Sequence, residues 1–451
     1  MLGTEELFPW VEQVCDGQIV GTRQTSGGNR CIGWVLDIQP ASSPLRRVYL
    51  RYQTFSNPAG GPYTVRREAE AYAALRDTGV AIPRLVAVHP THHAMLAECA
   101  RGTAEYRGVA DGELKASLAR ECMGALARLH AVDAASLPLP NYGRPRTVAD
   151  AVRAELDTWY AMYLASGRAD PLIEFGYVWL QDHLPPVLEP PVFVHGDAGP
   201  GNFMFDAGHL TALTDWELGH LGDPMEDLAW FSLRSVLEPA PDFPVRLLEY
   251  AAASGRPVEL DRVRYHRAFV SWRVVIIRHC NVSGRAGASV ISRALNRRLL
   301  IEAIDAVEGR PSGARSPEIE AIASRGAREY DGIFDQTLED IRVAIVPQCD
   351  DKPAVALKAK DVAKAIKFMR ELYTFGPDIE RWEIGHLQRQ LGTPVDALQT
   401  GRIALAAQIA ARRLGARDVQ DYLRQAAAAD TLLASGSMGA LATRSFPPLM
   451  D

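Results

Sequence analysis

Between residues 17 and 55 apolar and polar positions alternate in short runs, GQIVGTRQTSGGNRCIGWVLDI and then RRVYLRYQTF. β-Branched and aromatic residues flank Ser26-Gly27-Gly28-Asn29, which predicts a hairpin with a glycine tip. TVRREAEAYAALRDT (64–78) has helical composition and is stopped by Gly79, and IPRLVAVHP and HAMLAECARG predict two more strands. After Gly102 the pattern becomes helical. Leu114, Leu118, Cys122, Ala125 and Leu129 share one face of a helix ending about His130, and a second helix covers roughly 147–166. The proline-rich HLPPVLEPP leads into a short buried strand in PVFVHGD. FMFD and LTALTDWE read as two further strands about a tight turn, and 224–308 is again mainly helical.

GRPSGARS (309–316) has linker composition, and Ser316-Pro317-Glu318 is a helix start. Ile319, Ile322, Ile333, Phe334, Leu338, Ile341 and Ile345 form one long apolar stripe. Helices are expected over about 354–374, 378–391, 395–414 and 417–434, followed by a loosely ordered tail. The predicted organisation is a nucleotide-binding lobe (1–102), a catalytic and acceptor-binding lobe (103–308), a linker (309–316) and an all-helical accessory domain (317–451). At 451 residues the chain is long enough for two or three domains, so this division is not strained.

Composition narrows the function by exclusion. Charged residues make up 23% and the formal net charge is −6, which argues against a nucleic-acid partner. The six cysteines include no C-x-x-C pair, so neither a zinc site nor a disulfide framework is expected. The N-terminus is acidic where a signal peptide is basic, and no apolar run approaches the roughly 18 residues of a membrane span. The expectation is a cytoplasmic chain with no membrane partner.

The chemistry concentrates in His195-Gly196-Asp197-Ala198-Gly199-Pro200-Gly201-Asn202 and Asp215-Trp216-Glu217. Phosphoryl transfer needs a carboxylate to take the proton of an attacking hydroxyl, and oxygen ligands to hold Mg²⁺ on the nucleotide phosphates. Asp197 suits the first task, and Asn202 with Asp215 the second. One loop after a short strand and the end of another strand bring them to one edge. No G-x-x-x-x-G-K-[ST] sequence is present, so ATP binding through a P-loop is excluded.

With HGDAGPGN, DWE and the downstream GHLGDPMEDLAW, the chain resembles the aminoglycoside phosphotransferase and choline kinase family, relatives of protein kinases. It is especially similar to phosphotransferase modules related to those fused to certain acyl-CoA dehydrogenases. The likeness covers about residues 5–308. It implies an α+β, two-lobed protein-kinase-like fold, here with an added all-α C-terminal domain, and ATP and Mg²⁺ as cofactors. By position, Asp197 is then the catalytic base, Asn202 and Asp215 are metal ligands, and Glu217 stands beside the metal or on a second one. His195 organises the loop, Asp223 braces it through backbone N–H groups, and Asp206 serves a turn.

On the nucleotide side there is no G-x-G-x-x-G. Ser26, Gly27, Gly28 and Asn29 are the candidate phosphate loop. Arg51 stands where a kinase carries its strand lysine, Glu68 is its expected helix partner, and Met95–Cys99, with Glu98 and Cys99, is the candidate hinge for adenine.

Nine arginines and no Asp, Glu or Lys lie between Arg262 and Leu300, which disfavours a polycationic drug as acceptor. An anionic or acyl-type hydroxyl compound, a hydroxy acid or hydroxyacyl-CoA, fits better. Arg273 and Arg278 are candidate acceptor contacts, and Trp159, Tyr160 and Tyr163 a candidate apolar wall. Alternatively, the basic stretch docks on the seven acids of 316–340 or faces solvent. The expected activity is phosphorylation of a small-molecule hydroxyl. An antibiotic kinase and an inactive nucleotide-binding scaffold, its helical domain holding a protein partner, are the rivals.

Overall fold

The computed structural model describes residues 3–25, 31–53, 61–280, 286–311, 316–324, 329–349 and 353–450. The candidate phosphate loop at Ser26–Asn29 lies outside them. The chain divides into two compact units, one made of 1–165, 185–266 and 446–451, the other of 166–184 and 267–445.

The first unit begins with helix α1 (Thr4–Cys15) and strands β1 (Gly17–Gln24), β2 (Cys31–Pro40) and β3 (Arg46–Gln53). Helix α2 (Val65–Leu75), β4 (Leu85–Val88) and β5 (Ala94–Glu98) follow. The strands form one antiparallel sheet in the order β1-β2-β3-β5-β4. Side chains alternate along a strand, so Val48, Leu50 and Tyr52 of β3 face one way, into a core with Leu36, Ile38 and Leu96. Leu7, Val11 and Cys15 of α1, spaced four apart, close that core. Arg51, between Leu50 and Tyr52, therefore points to the opposite face. On that face α2 begins at Thr64, whose hydroxyl caps Arg67 N.

Helices α3 (Gly112–His130) and α4 (Val148–Ala165) come next, and α5 (Pro171–Asp182) belongs to the second unit. Back in the first unit, β6 (Val192–Val194) pairs antiparallel with β9 (His220–Gly222), and β7 (Phe203–Asp206) with β8 (His209–Leu213). Ala207 and Gly208, both at positive φ, make the two-residue hairpin turn after Asp206. Helices α6 (Pro224–Leu237) and α7 (Phe243–Ser254) follow, and α8 (Leu260–Cys280) passes out of the unit after His266. A five-stranded sheet with one inserted helix, then helices around two small sheets, is the expected two-lobed kinase-like architecture.

The second unit is all helical: α5, most of α8, α9 (Ala286–Val307), α10 (Pro317–Ala323), α11 (Asp331–Asp340), α12 (Pro353–Leu391), α13 (Leu398–Ala410) and α14 (Ala416–Met438). The division does not fall at 309–316. Helix α9 packs on α12 and α14, and α5 on α13, so these earlier helices share one core with the accessory helices. The two helices expected over 354–374 and 378–391 are one, α12, which continues through Pro377; its packing on α9, α13 and α14 outweighs the missing N–H. The stripe from Ile319 to Ile345 is not one buried face: Ile319, Ile322 and Ile341 are buried, while Ile333 and Ile345 are exposed. Helix α14 runs four residues past its expected end at 434, and the tail beyond it is held where Arg298 donates to the carbonyls of Leu441 and Arg444.

The basic stretch does not lead to the acidic one in the pairs described. Arg297 pairs with Asp170 and Asp430, and Arg298 with Glu302. The acids of 316–340 meet other groups: Asp335 meets Arg370, Glu339 meets Arg342, and Glu318 meets the Trp382 N–H and His386.

Candidate active site

The loop after β6 carries Asp197. Gly196 there has φ +77°, and a Cβ on it would collide with the carbonyl oxygen of Leu218, so the position demands glycine. His195 is fully buried, and burial lowers its pKa. Its Nε2–H donates to Thr214 O at 2.9 Å, which leaves Nδ1 to accept from the Asp197 N–H at 3.3 Å. The ring thus ties the Asp197 loop to the end of β8 and fixes the approach of Asp215.

The brace from below is Asp227, not Asp223. Asp227 accepts from His195 N at 2.8 Å and Gly196 N at 2.9 Å, and Oδ2 also meets His130 Nε2 at 3.0 Å. Burial raises its pKa, but His130 and His195 outweigh that and hold the carboxyl below its usual range. Asp223, one helical turn earlier, caps α6 at Met225 N and binds Arg262 at 2.7 Å and His266 at 3.0 Å. Two of the carboxylates in GDPMED therefore divide the work of the loop and the helix start.

Asp197 itself is gripped by Arg234 of α6, Nε 2.8 Å from Oδ1 and Nη2 2.5 Å from Oδ2. Arg234 also donates to the carbonyls of Asp197 and Pro200. The Asn202 amide N donates to Asp197 Oδ2 at 2.9 Å and to Asp197 O at 2.8 Å. A carboxylate offers about four lone pairs. Three donors reach this one, two on Oδ2, so the remaining acceptor position is on Oδ1. The Asn202 amide oxygen makes no hydrogen bond among the described residues.

Asp215 follows β8 at φ +66°, a left-handed conformation that Asp tolerates better than most residues. Arg51 Nη2 lies 2.7 Å from Asp215 Oδ1 and 2.7 Å from Glu217 Oε2, while its Nε lies 2.9 Å from Glu68 Oε2. One buried guanidinium thus serves three carboxylates. The sharing is unequal. Burial raises Asp215 too, but Arg51, Arg234 and His195 bring it below its usual range, whereas burial pushes Glu68 up to about 8 against the pull of Arg51. Cys31 of β2 sits at the edge of this cluster, its thiol 3.9 Å from Glu217 and pushed up to about 12 by burial.

Asn202, Asp215 and Glu217 offer carboxylate and amide oxygens, the donor type Mg²⁺ takes, with substrate phosphates completing its shell. Among the described residues no group of three or more His, Cys, Asp or Glu could hold a metal alone. The residues present therefore fit an ion shared with a nucleotide, not a self-contained metal cage. At the candidate hinge, Glu98 N donates to Arg84 O at 2.8 Å and Cys99 N to Arg47 O at 3.4 Å, so both N–H groups already have partners.

The proposed acceptor contacts fare differently. Trp159 is fully buried, with its N–H on Glu155 at 2.9 Å and its ring against Tyr63. Tyr163 is also buried on the face of α4 that carries Val152, Leu156 and Trp159, and only the neighbouring Tyr160 is partly exposed. Trp159 and Tyr163 are core of the first unit, so the three rings form no open wall. Arg273 is fully buried with its guanidinium 5.4 Å from the Phe269 ring centroid, so it is not an open acceptor contact. Arg278 is exposed and lines a cavity of the second unit.

Arg234 and Asp227 are the two site residues that sequence reasoning missed. They lie seven apart, two turns along one face of α6. Their signal was a lone charge of each sign in the otherwise apolar DLAWFSLRSVL.

Residues 46–266 match the family model of the phosphotransferase enzyme family. This part of the chain is a phosphotransferase-family domain. The match takes in Arg51, Glu68, the Asp197 loop, Asp215 and Arg234, and stops where the first unit leaves α8. Among curated proteins, acyl-CoA dehydrogenase family member 11 of Gallus gallus is 35% identical over 108 residues, 23% of this chain and 14% of that protein. Family member 10 of Mus musculus is 33% identical over 111 residues, 24% of this chain and 10% of that protein. The match therefore spans only a small part of each relative's length. Similar solved structures include an aminoglycoside phosphotransferase with ADP and hygromycin B (16% identity, TM-score 0.49, 69% of this chain and 100% of that one). A macrolide 2'-phosphotransferase of Brachybacterium faecium has 20% identity and a TM-score of 0.43, over 63% of this chain and 97% of that one. No helix among the described residues is long and apolar enough to cross a membrane.

Proposed function

We propose that the phosphotransferase domain is a kinase of a small-molecule hydroxyl, taking the γ-phosphoryl group from ATP with Mg²⁺. The observation that carries this reading is the Asp197 carboxylate, held on one side by Arg234 and Asn202 with an acceptor position left on Oδ1. The acceptor hydroxyl donates to that oxygen. As its oxygen bonds to phosphorus and the bond to the ADP oxygen breaks, the hydroxyl proton passes to Asp197. Fixing the carboxylate before substrate arrives favours this geometry, because the loose transition state of phosphoryl transfer leaves positioning as the protein's main task.

Asn202 through its amide oxygen, Asp215 and Glu217 would hold Mg²⁺. The ion, when bound, neutralises the charge on the transferring and leaving phosphates. Arg51 is placed beside these ligands and kept there by Glu68, the pairing expected for a residue that reaches nucleotide phosphates. Ser26–Asn29 remains the proposed phosphate loop, and Met95–Cys99 the proposed adenine edge.

The proposed acceptor is an anionic or acyl-type hydroxyl compound. Its support is the likeness to acyl-CoA dehydrogenase family proteins. The test is incubation of the full chain with γ-labelled ATP and Mg²⁺ beside a panel of hydroxyacyl-CoAs, hydroxy acids and an aminoglycoside. Label on a hydroxyacyl-CoA or hydroxy acid, lost with Asp197→Asn and with EDTA, is the expected result. Label on the aminoglycoside overturns the acceptor class. ATP binding with no transfer to any hydroxyl overturns the kinase reading itself.

A further inference from the structure

The second unit holds a cavity of about 510 Å³, the size of small-molecule sites. Five arginines line it: Arg168, Arg278, Arg293, Arg297 and Arg402. Three carboxylates, Asp170, Glu383 and Asp430, share the wall, so the lining carries a formal charge of +2 with His279 neutral. None of these residues belongs to the Asp197 centre, and the cavity lies wholly within the second unit.

The three acids are used in holding two of the arginines in place. Asp170 takes Arg297 Nη1 at 2.6 Å and Asp430 takes its Nε at 2.8 Å, which leaves Nη2 as the uncommitted end of the fork. Glu383 takes Arg402 Nε at 2.6 Å and Nη2 at 2.7 Å, leaving Nη1. Tyr422 donates to the same Glu383 at 2.8 Å and keeps it in position. Arg168 and His279 join the two rims through each other's backbone carbonyls. Arg293, exposed at the cavity, feels Asp170 through space and, among the described residues, makes no direct hydrogen bond or salt bridge.

Folding alone does not call for this arrangement. A helix surface has no need to gather five guanidinium groups around one cavity, because like charges repel. An occupant with two negative charges removes that repulsion. Guanidinium forks fixed by their own carboxylates are preorganised for phosphate oxygens, which take paired N–H donors. Val290, Leu423 and Ala426 line the cavity as well and give the occupant's body an apolar seat.

We propose that this cavity binds a small organic phosphate dianion with an apolar portion, at a site separate from the catalytic centre. This inference does not rest on the kinase reading. The probe is phenyl phosphate, titrated calorimetrically into the full chain, with inorganic phosphate and benzoate as the parallel arms. Saturable binding of phenyl phosphate is expected, at least about tenfold tighter than either arm, since each arm lacks one half of the recognition. Arg293→Ala and Arg278→Ala, both at exposed positions and checked by their melting curves, should each weaken it by about tenfold or more. Arg51→Ala, in the other unit, should leave it unchanged. Equal binding of inorganic phosphate overturns the apolar half, and equal binding of benzoate the phosphate half. Undiminished binding in both cavity variants, or loss only in Arg51→Ala, overturns the site.

Discussion

Arg234 meets the Asp197 carboxylate edge on, with Nε 2.8 Å from Oδ1 and Nη2 2.5 Å from Oδ2. A two-pronged contact of this kind fixes the plane of the carboxylate as well as its distance. Arg234→Lys keeps the charge and loses the plane. Under the proposed mechanism its kcat should fall by about tenfold to a hundredfold with KM for ATP little changed, and Arg234→Ala should lose more. Steady-state kinetics with the acceptor found by labelling reads both. A KM effect alone contradicts the orienting role.

Asp197→Asn removes the proposed proton acceptor but keeps the side chain's shape. Turnover should fall by about 10²–10⁴-fold, the usual worth of a positioned base. Binding of a fluorescent ATP analogue should persist, because no nucleotide contact has been removed. Retained turnover contradicts the base assignment.

Asp227 is fully buried and receives two backbone N–H groups and His130. Asp227→Ala leaves those donors without an acceptor in the core and should cost about 3–5 kcal/mol. A lowered midpoint in denaturant, followed on the Trp216 ring packed 4.6 Å from His195, is the measurement. Gly196→Ala should show the smaller stability loss but the larger loss of turnover, because it displaces the loop without opening the core.

Glu68 gives the domain a pH dependence of unusual sign. The folded protein keeps the Glu68 proton up to about pH 8, whereas an unburied glutamate releases it near 4.5. Its contribution is therefore complete at low pH and is lost as pH rises between those values, since the folded state then binds more protons than the unfolded one. Glu68→Gln should flatten the fall in melting temperature between about pH 5 and about pH 9. A slope identical to the parent's contradicts the raised pKa.

Much of the site was legible in the sequence because its parts are adjacent in the chain. HGDAGPGN and DWE each sit within one loop, and strand alternation alone puts Arg51 opposite Leu50. What escaped was contributed from a distance. Arg234 reaches back 37 residues to Asp197, and Asp227 reaches 32 to His195. Helix α1 was hidden by Pro9, although Leu7, Val11 and Cys15 carry the helical spacing. Helix α5 announced itself through Asp170 and Pro171, a cap and first-turn pair overlooked beside the prolines that follow. Trp159 and Tyr163 misled for the reverse reason: large aromatic side chains suit a binding wall and a core equally, and only burial distinguishes them.

The thiol of Cys31 carries a practical consequence. With its pKa near 12 and its side chain buried beside Glu217, it is almost entirely un-ionised and shielded in the native fold, so alkylating reagents should pass it by. Any slow labelling at this position then counts the moments when the start of β2, an inner strand of the sheet, opens away from the Arg51 cluster. The chain thus carries its own clock for breathing of this sheet, and under the proposed function a bound nucleotide should slow that clock in proportion to how tightly it binds.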